Sequence, residues 1–414
     1  MSASRTPGPG REIATPAHRT RRPPPIHGEV EDGFGSVMDV FEDNFADRGD
    51  LGAACVVYLS GRPVVDIWAG VADARTGRAW SEDTAAVIFS CSKGILAICA
   101  YMLVQEGRLD LDAPVARYWP EFAQDGKEEI TVRWLLSHRA GLPALDRDLT
   151  RPEVLAWWPV VRAIEAQSPL WPPGTAYSYH AMTFGWMIGE VIHRITGNLP
   201  GVFFRETLGD PLGLHTWIGL PASARESVAW MEPPLPDEDG PAVRAIADSL
   251  AAPVSLRGSS MGGAFGFPLE DGIVAFNDPA IQAAEVPAAN GISTARSLAR
   301  LYAACVSELA GRSRILSRSS IDDAIRVQSF GQQVFGPPDS GQRWGTGFML
   351  NSPPARPMLG DRSFGHDGAG GQLAFADDEY GVGFAYLSNQ MGGLVDGRAT
   401  ELTAAVKHCL GRKP

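Results

Sequence analysis

Hydrophobic and polar residues alternate with the period of β-strands near both ends of the chain. The clearest signal is a pair of apolar runs that flank residues 60–62, which is typical of a β-hairpin. A second antiparallel hairpin is predicted near the C-terminus, across residues 377–381. The candidate strands are residues 53–59, 63–68, 344–350, 363–366, 372–376 and 382–388. The pattern therefore predicts strands at both ends of the chain.

Apolar residues with helical spacing occupy the segments between and around these strands. The apolar run after Ser90 predicts a buried helix that ends near Glu106, with Gly107 in its C-terminal cap. Residues 28–47 predict an amphipathic first helix, and residues 396–409 predict a final one. Elsewhere, helices are predicted at residues 132–137, 152–167, 182–196 and 293–309.

The order of these elements predicts an α+β fold of the α/β sandwich type. We expect an antiparallel sheet built from both chain ends, flanked by helices, with an inserted all-helical lobe. The α/β domain would comprise residues 28–108 plus 290–414, and the mainly helical lobe residues 109–289. Residues 1–27, rich in Arg, Pro, Ser and Thr, predict a disordered N-terminal tail. A cleft is expected between sheet and lobe, with the Ser90 helix at its floor.

Composition narrows the classes of partner. The chain of 414 residues has a net charge of −12, which argues against nucleic acid or an anionic membrane as its main partner. Its five cysteines form no spaced cluster, which indicates free thiols in a reducing compartment. The sequence has no secretory signal, no apolar run of transmembrane length and no metal- or nucleotide-binding motif. We therefore expect a cytoplasmic protein that acts on a small molecule without a cofactor or metal, and its oligomeric state stays open.

Ser90 and Lys93 form the first candidate for chemistry, because residues three apart share one face of a helix. Lys93 is one of only four lysines and the only one embedded in apolar sequence. A desolvated lysine can lose its proton, whereas an arginine cannot, so this amine could serve as base for the serine. The alternative is structural: Ser90 would be an ordinary helix cap and Lys93 would extend its amine towards solvent.

Two further stretches and one competing serine complete the candidates. Tyr179 lies where a loop leads into a helix and could share protons with Ser90, although a packing role is the alternative. His366 lies among four glycines at a strand edge, where backbone N–H groups could complete an oxyanion hole; the alternative is a plain turn. Ser260 matches the G-x-S-x-G motif, but the residues that follow it are a poor helix.

In their order along the chain, these stretches resemble the serine β-lactamase-like family. Ser90 and Lys93 correspond to S-x-x-K, Tyr179 to the tyrosine motif, and residues 366–368 to the K-T-G of lactamases. Supporting similarity is found at residues 117–122, 135–142 and 173–175. The resemblance runs from about residue 28 to the C-terminus. It points to the class C β-lactamase and DD-peptidase branch, and within it to the esterases called family VIII.

The resemblance implies a carboxylesterase that forms an acyl-serine intermediate. Ser90 would be the nucleophile, and Lys93 and Tyr179 would transfer its proton. The remaining residues of the site would be Ala369, whose N–H would hold the oxyanion together with that of Ser90, and the substrate-binding residues His366 and Gly368.

Two positions depart from the β-lactamase pattern. The Y-x-N motif reads Tyr179-His180-Ala181, and the lysine of K-T-G is His366. These changes remove an amide and a cation that assist lactam binding, whereas an ester needs neither, so an esterase is favoured. The alternatives are an acyltransferase to an alcohol acceptor, a weak β-lactamase or DD-peptidase-like amidohydrolase, and a non-enzymatic binding module.

Overall fold

Antiparallel strands from both ends of the chain form the central sheet. The computed structural model describes residues 22–235, 272–335, 339–393 and 396–411, so Ser260 lies outside the described residues. The strands are β1 (Ile26–Val30), β2 (Gly52–Leu59), β3 (Arg62–Asp73), β4 (Arg78–Ala79), β5 (Ala85–Val87), β6 (Thr216–Trp217), β7 (Ile292–Thr294), β8 (Met349–Leu350), β9 (Ser363–Asp367), β10 (Leu373–Asp377) and β11 (Val382–Ser388). The main sheet has the order β1-β3-β2-β11-β10-β9-β8, with β4 beside β3, and a small second sheet has the order β5-β7-β6.

Helices follow the strands on both sides and fill the middle of the chain. The α-helices of the described residues are α1 (Gly35–Asp47), α2 (Cys91–Gln105), α3 (Val132–Leu136), α4 (Arg151–Leu155), α5 (Trp158–Ala166), α6 (Thr183–Thr196), α7 (Pro200–Phe204), α8 (Asp210–Leu212), α9 (Pro279–Ala283), α10 (Ala295–Val306), α11 (Arg318–Ala324) and α12 (Arg398–Gly411). Shorter 3-10 helices span Val115–Arg117, Pro120–Phe122, Ala222–Ser227 and Gly272–Asn277, and a π-helical turn spans Arg205–Gly209.

Alternation along the central strands explains why helices cover both faces of the sheet. In β2, Cys55 and Val57 belong to one core cluster, which includes buried residues of α1 and α12. Their neighbours Ala54 and Val56 belong to a second cluster, which includes residues of α2 and α10. Successive side chains of a strand point to opposite faces, so each layer of helices covers one set. This arrangement confirms the predicted α+β fold of the sandwich type.

The two chain ends meet where β2 pairs with β11, with Val56 opposite Ala385. Pairing of an early strand with a late one confirms that both ends build the sheet. The predicted helix after Ser90 is also confirmed, as α2 (Cys91–Gln105). Helix α2 packs against β9 on one side and against α6 on the other, so it lies between the sheet and the helices of the middle segment.

The beginning of the fold differs from the prediction. Instead of a helix from residue 28, residues Ile26–Val30 form β1, and α1 begins only at Gly35. Strand β1 lies at the sheet edge beside β3, and its central three residues are exposed, so it has no alternation of apolar residues. The predicted tail of residues 1–27 extends too far towards the C-terminus, because Ile26 and His27 belong to this strand; residues 1–21 lie outside the described residues.

Two other boundaries and one small sheet also differ. The predicted strand at 344–350 is reduced to β8, and Trp344 makes only isolated bridges. The predicted helix at 152–167 is interrupted at Trp157, whose φ of +66° is incompatible with a continuous helix. The sheet β5-β7-β6 was not predicted, because its strands are only two or three residues long.

The described helices, the cysteines and the possible metal ligands can each be examined in the structure. None of the described helices combines the length and the apolarity that crossing a bilayer requires. All five cysteines are free thiols and buried. The described residues hold no group of three or more His, Cys, Asp or Glu side chains suited to a metal ion.

Candidate active site

The chain bends sharply immediately before Ser90, and this bend places the serine at the start of α2. Phe89 has a φ of +45°, a left-handed conformation that residues other than glycine seldom adopt. Ser92 stabilises the bend, because its Oγ donates to the Phe89 carbonyl oxygen at 2.5 Å and accepts from the Gly291 N–H at 3.0 Å. Ser90 is partly exposed, whereas Lys93, one helical turn later, is fully buried.

Lys93 and Tyr179 converge on the hydroxyl of Ser90. The Nζ atom of Lys93 lies 3.1 Å from Ser90 Oγ and donates to the Ala288 carbonyl oxygen at 3.0 Å. The Tyr179 hydroxyl donates to the same Oγ at 2.9 Å. The structure therefore brings together the serine, the amine and the phenol that the sequence singles out.

Burial controls the protonation of both groups that contact Ser90. Loss of solvent lowers the pKa of Lys93 to about 7, and the nearby Asp367 carboxylate opposes this shift only in part. Burial raises the pKa of Tyr179, and its hydrogen bond with Ser90 opposes that rise. Near neutral pH the amine is thus partly unprotonated, while the phenol keeps its proton.

Two aromatic side chains hold the ring of Tyr179. Trp344 stacks on it with 5.1 Å between ring centres, and His138 meets it edge-on at 4.9 Å. The Nδ1 atom of His138 accepts from the His180 N–H at 3.2 Å, which fixes the backbone next to Tyr179. Burial lowers the pKa of His138 well below its ordinary value, so this imidazole is neutral and Nδ1 can accept.

Sequence reasoning assigns no role to Ala288, His138 or Trp344. His138 lies in the stretch 135–142 that resembles the family, and this is the one signal that could have identified it. Trp344 lies in a candidate strand with nothing to link it to Tyr179. Ala288 contributes only its carbonyl oxygen, and since every residue has one, its position in the site cannot be recognised from the residue type.

His366 lies on β9, with its ring centre 6.0 Å from that of Tyr179. Its Nδ1 donates to the Asp367 carbonyl oxygen at 2.7 Å, so Nε2 carries the lone pair of the neutral ring. Burial lowers the pKa of His366, and the charge of Lys93 adds to this effect, although Asp367 opposes it. The position that corresponds to the K-T-G lysine therefore carries a neutral ring at neutral pH.

Gly368 and Ala369 belong to the turn after β9, which comes close to the chain before Ser90. A Cβ atom at Gly368 would lie 2.4 Å from the Ile88 carbonyl oxygen, so this approach requires glycine. In the described part of the chain, neither the Ser90 N–H nor the Ala369 N–H donates to another protein group. Both donors are therefore available for a substrate oxygen.

The fold is an antiparallel sheet covered by helices on both faces. The serine of S-x-x-K lies at the start of the helix between the sheet and the middle segment. Together these two features define the class of serine β-lactamase-like proteins. The sequence matches the family described as Beta-lactamase over residues 39–407, and the chain belongs to this family. The resemblance inferred from the motifs is thus confirmed.

Individual relatives refine this assignment. The chain is 36% identical over 375 residues to the esterase/beta-lactamase LipL of Mycobacterium tuberculosis, which covers 88% of this chain and 83% of that protein. The structure superposes on a family VIII carboxylesterase with a TM-score of 0.82 and 35% identity, over 93% of this chain and 100% of that one. A penicillin-binding protein homologue from Caulobacter crescentus gives a TM-score of 0.79 and 35% identity over the same shares.

Proposed function

We propose that this protein is a serine hydrolase that cleaves carboxylic esters of small molecules through an acyl-serine intermediate. The observation that carries the proposal is the Ser90 Oγ atom, which lies 3.1 Å from the Lys93 amine and 2.9 Å from the Tyr179 hydroxyl. A serine becomes nucleophilic when a neighbouring base can remove its proton. The similarity to an esterase/beta-lactamase and to a family VIII carboxylesterase supports the same reaction class.

In the first step, Ser90 Oγ attacks the ester carbonyl carbon and forms a new C–O bond. Its proton passes to the unprotonated amine of Lys93, and the N–H groups of Ser90 and Ala369 stabilise the oxyanion. The tetrahedral intermediate then breaks the bond to the alkoxide. Tyr179 gives its proton to the leaving alcohol and recovers one from Lys93, so the acyl-serine forms with no net change of protons.

In the second step, water replaces the alcohol. The phenol–amine pair takes one proton from water, whose oxygen attacks the acyl carbon and forms the tetrahedral intermediate again. Collapse breaks the bond to Ser90 Oγ, which is reprotonated, and releases the carboxylic acid. Each proton that the pair accepts in one half-reaction is returned in the same half-reaction, so the site is regenerated.

Esters are favoured over β-lactams because the site offers no fixed cation at the K-T-G position. His366 is buried there, and burial lowers its pKa, so it provides no positive charge for a lactam carboxylate at neutral pH. Ala181 stands where true lactamases have the amide of Y-x-N and supplies no hydrogen-bonding side chain. An uncharged ester needs neither group.

The decisive experiment replaces Ser90 by Ala and follows the turnover of p-nitrophenyl acetate. We expect kcat/KM to fall at least about a thousandfold, because the nucleophile of a covalent mechanism has no substitute. The matched control is Ser260→Ala, which should keep wild-type turnover and wild-type labelling by a fluorophosphonate. Retained activity in Ser90→Ala, or its loss in Ser260→Ala, would assign the nucleophile elsewhere.

Two sequence predictions of organisation remain proposals. The boundary predicted at residue 28 is too late, because Ile26 and His27 already belong to β1. The division into an α/β domain and a mainly helical lobe at 109–289 is supported by helices α3 to α9, which all lie within that range. A reducing, cytoplasmic location is supported by the five buried free cysteines. Limited proteolysis would test the division into two domains, and fractionation of the producing cell would test the cytoplasmic location.

A further inference from the structure

The segment 327–335 combines high exposure with the absence of charge. Its sequence, VQSFGQQVF, contains no ionisable residue. The described part of the chain has nine large apolar side chains that are exposed, and four of them lie here: Val327 at 40%, Phe330 at 70%, Val334 at 42% and Phe335 at 37%. Isolated exposed apolar residues are ordinary, but a concentrated group marks an interaction surface. We name this segment the apolar rim.

One end of the apolar rim is attached to the aromatic residue that stacks on Tyr179. The N–H groups of Gln328 and Ser329 donate to the Trp344 carbonyl oxygen at 2.8 and 3.2 Å, and the Trp344 N–H returns a bond to Ser329 at 2.9 Å. The Trp344 ring in turn stacks on Tyr179. This end therefore lies directly behind one face of the candidate catalytic phenol.

The other end is attached to the loop that carries Tyr179. Val334 N–H donates to the Tyr177 carbonyl oxygen at 2.9 Å, and Ser178 Oγ donates to the Phe335 carbonyl oxygen at 2.6 Å. Gln333 Oε1 accepts from the Tyr179 N–H itself at 2.8 Å. The rim thus runs around Tyr179 from one side to the other, and its exposed apolar side chains lie beside the site.

We propose that the apolar rim docks on the surface of aggregated, uncharged ester substrate, so that the enzyme prefers emulsified esters to dissolved ones. This inference rests on the proposed ester hydrolysis. Contact with such a surface would cover Phe330 and its neighbours and would bring the ester to Ser90, which Tyr179 contacts.

Charge decides between the possible occupants of the rim. The chain carries a net charge of −12, which opposes close approach of a second copy or of an anionic membrane. The rim itself offers no charge to attract a charged partner. A neutral ester–water interface needs only apolar contact, and it is the occupant whose position beside the site also serves the reaction.

The kinetic test measures hydrolysis of tributyrin below and above its solubility limit, with dissolved p-nitrophenyl acetate as reference. Once droplets form, we expect the wild-type rate to be severalfold higher than the maximum rate extrapolated from the dissolved substrate. The double variant Phe330→Ser with Phe335→Ser should lose this rise and keep turnover of p-nitrophenyl acetate within about twofold. The matched control, Met38→Ser, removes a 40% exposed apolar residue from α1 and should behave like the wild type.

A binding test separates failure of the rim from failure of the proposed hydrolysis. Ser90→Ala is mixed with triolein droplets stabilised with zwitterionic phosphatidylcholine, which has no net charge, and the fraction that floats with the droplets is measured. We expect flotation that disappears when Phe330→Ser and Phe335→Ser are added. Absent flotation, equal flotation of both variants, or a wild-type dimer that these two substitutions dissociate would overturn the proposal, whether or not p-nitrophenyl acetate is hydrolysed.

Discussion

The amine of Lys93 is enclosed by the protein and has two hydrogen-bond partners, Ser90 Oγ and the Ala288 carbonyl oxygen. Removal from solvent costs the ammonium form more than the neutral amine, which is why the pKa falls to about 7. A base that is half unprotonated near neutral pH suits general-base chemistry under physiological conditions. Burial thus gives Lys93 a property that its residue type lacks in solution.

The pH dependence of ester turnover tests this assignment of Lys93. We expect kcat/KM to fall about tenfold per pH unit below about pH 7 and to reach a plateau above it, because only the unprotonated amine accepts the Ser90 proton. Turnover of p-nitrophenyl acetate between pH 5 and 8 is the measurement. A rate that is independent of pH over this range would contradict the role.

Asp367→Asn provides the control for that profile. The Asp367 carboxylate favours the protonated form of Lys93 and so raises its pKa against the effect of burial. Removing this charge should lower the pKa of the amine further, and the acid limb should move to lower pH. A limb that stays in place would show that another group titrates.

Replacing Lys93 by Met should separate stability from activity. The lysine has a pKa of about 7 in the folded protein against an ordinary value of 10.5, so its burial destabilises the fold most below about pH 7. We expect Lys93→Met to raise the free energy of unfolding by about 1–3 kcal/mol at pH 7, an advantage that shrinks as the pH rises towards 10.5. Urea unfolding at several pH values measures this.

Ester turnover by the same variant should fall at least about a thousandfold, since no base remains at Ser90. Lys127→Met is the matched control, because Lys127 is also buried but its amine donates to the Gln167 carbonyl oxygen at 2.5 Å. It should keep ester turnover. A stability gain for Lys93→Met that does not depend on pH would contradict the explanation by desolvation.

At the scale of elements, Gly94 of α2 leaves room for the side chain of Tyr302, which belongs to α10. A Cβ atom on Gly94 would lie 2.1 Å from the Tyr302 hydroxyl oxygen, which is buried and has no hydrogen-bond partner in the described residues. The contact occurs four residues after Ser90, so displacement of α2 here would also displace the candidate nucleophile. The contact between Gly94 and Tyr302 therefore helps to fix the position of Ser90.

A double-mutant cycle between Gly94 and Tyr302 tests this contact. Gly94→Ala alone should cost about 2–3 kcal/mol of unfolding free energy through overpacking. Tyr302→Phe removes a buried hydroxyl without a partner and should be neutral or slightly stabilising. In the Tyr302→Phe background the cost of Gly94→Ala should fall by at least about 1 kcal/mol, because the closest atom is gone. Additive effects in thermal and urea unfolding would exclude the clash.

Elements differ in how far the sequence predicts them, and the differences have physical causes. Strands β2 and β11 are central and buried, so their long apolar runs are visible in the sequence. Strand β1 lies at the edge, with its central residues exposed, and is indistinguishable from a polar segment. The strands of the small sheet are too short to carry any period.

The candidate site divides in the same way. Ser90, Lys93 and Tyr179 could be brought together from sequence because their types and order carry a chemical meaning. Trp344 could not, because its contact with Tyr179 depends on how the rim connects two distant segments. Ala288 could not either, because a backbone carbonyl leaves no trace in the residue type.

At the scale of the whole molecule, a buried ionic network ties the two chain ends to the candidate site. Asp50 Oδ1, between α1 and β2, accepts from Arg398 Nη1 at 2.6 Å at the start of α12, and both side chains are almost fully buried. Tyr386 and Ser388 on β11 also donate to Asp50, at 2.6 and 2.8 Å. Arg398 Nη2 donates onward to the Gly370 carbonyl oxygen at 2.7 Å, in the turn that contains Ala369.

Removal of the Asp50 carboxylate should therefore cost stability and disturb the site together. We expect Asp50→Ala to lower the free energy of unfolding by about 3–5 kcal/mol, because the buried Arg398 would lose one of its two carboxylate partners, Asp396 being the other, and the buried hydroxyls of Tyr386 and Ser388 would lose their acceptor. The turn at Gly370 would lose part of its support, so kcat for p-nitrophenyl acetate should fall even under conditions where the variant is fully folded. Urea unfolding and steady-state kinetics on the same preparation measure both effects.

Asp50→Asn and Glu31→Ala distinguish the network from a general effect of lost acidic residues. Asn keeps an oxygen for Tyr386 and Ser388 but lacks the charge, so its cost should lie between those of wild type and Asp50→Ala. Glu31 pairs with Arg62 where both side chains are about half exposed, and its loss should cost less than about 1 kcal/mol. If Asp50→Ala were no more destabilising than Glu31→Ala, the two chain ends would be held by strand pairing and apolar packing alone. The hydrogen bond from Arg398 to Gly370, in the turn that contains Ala369, would then contribute nothing measurable to stability.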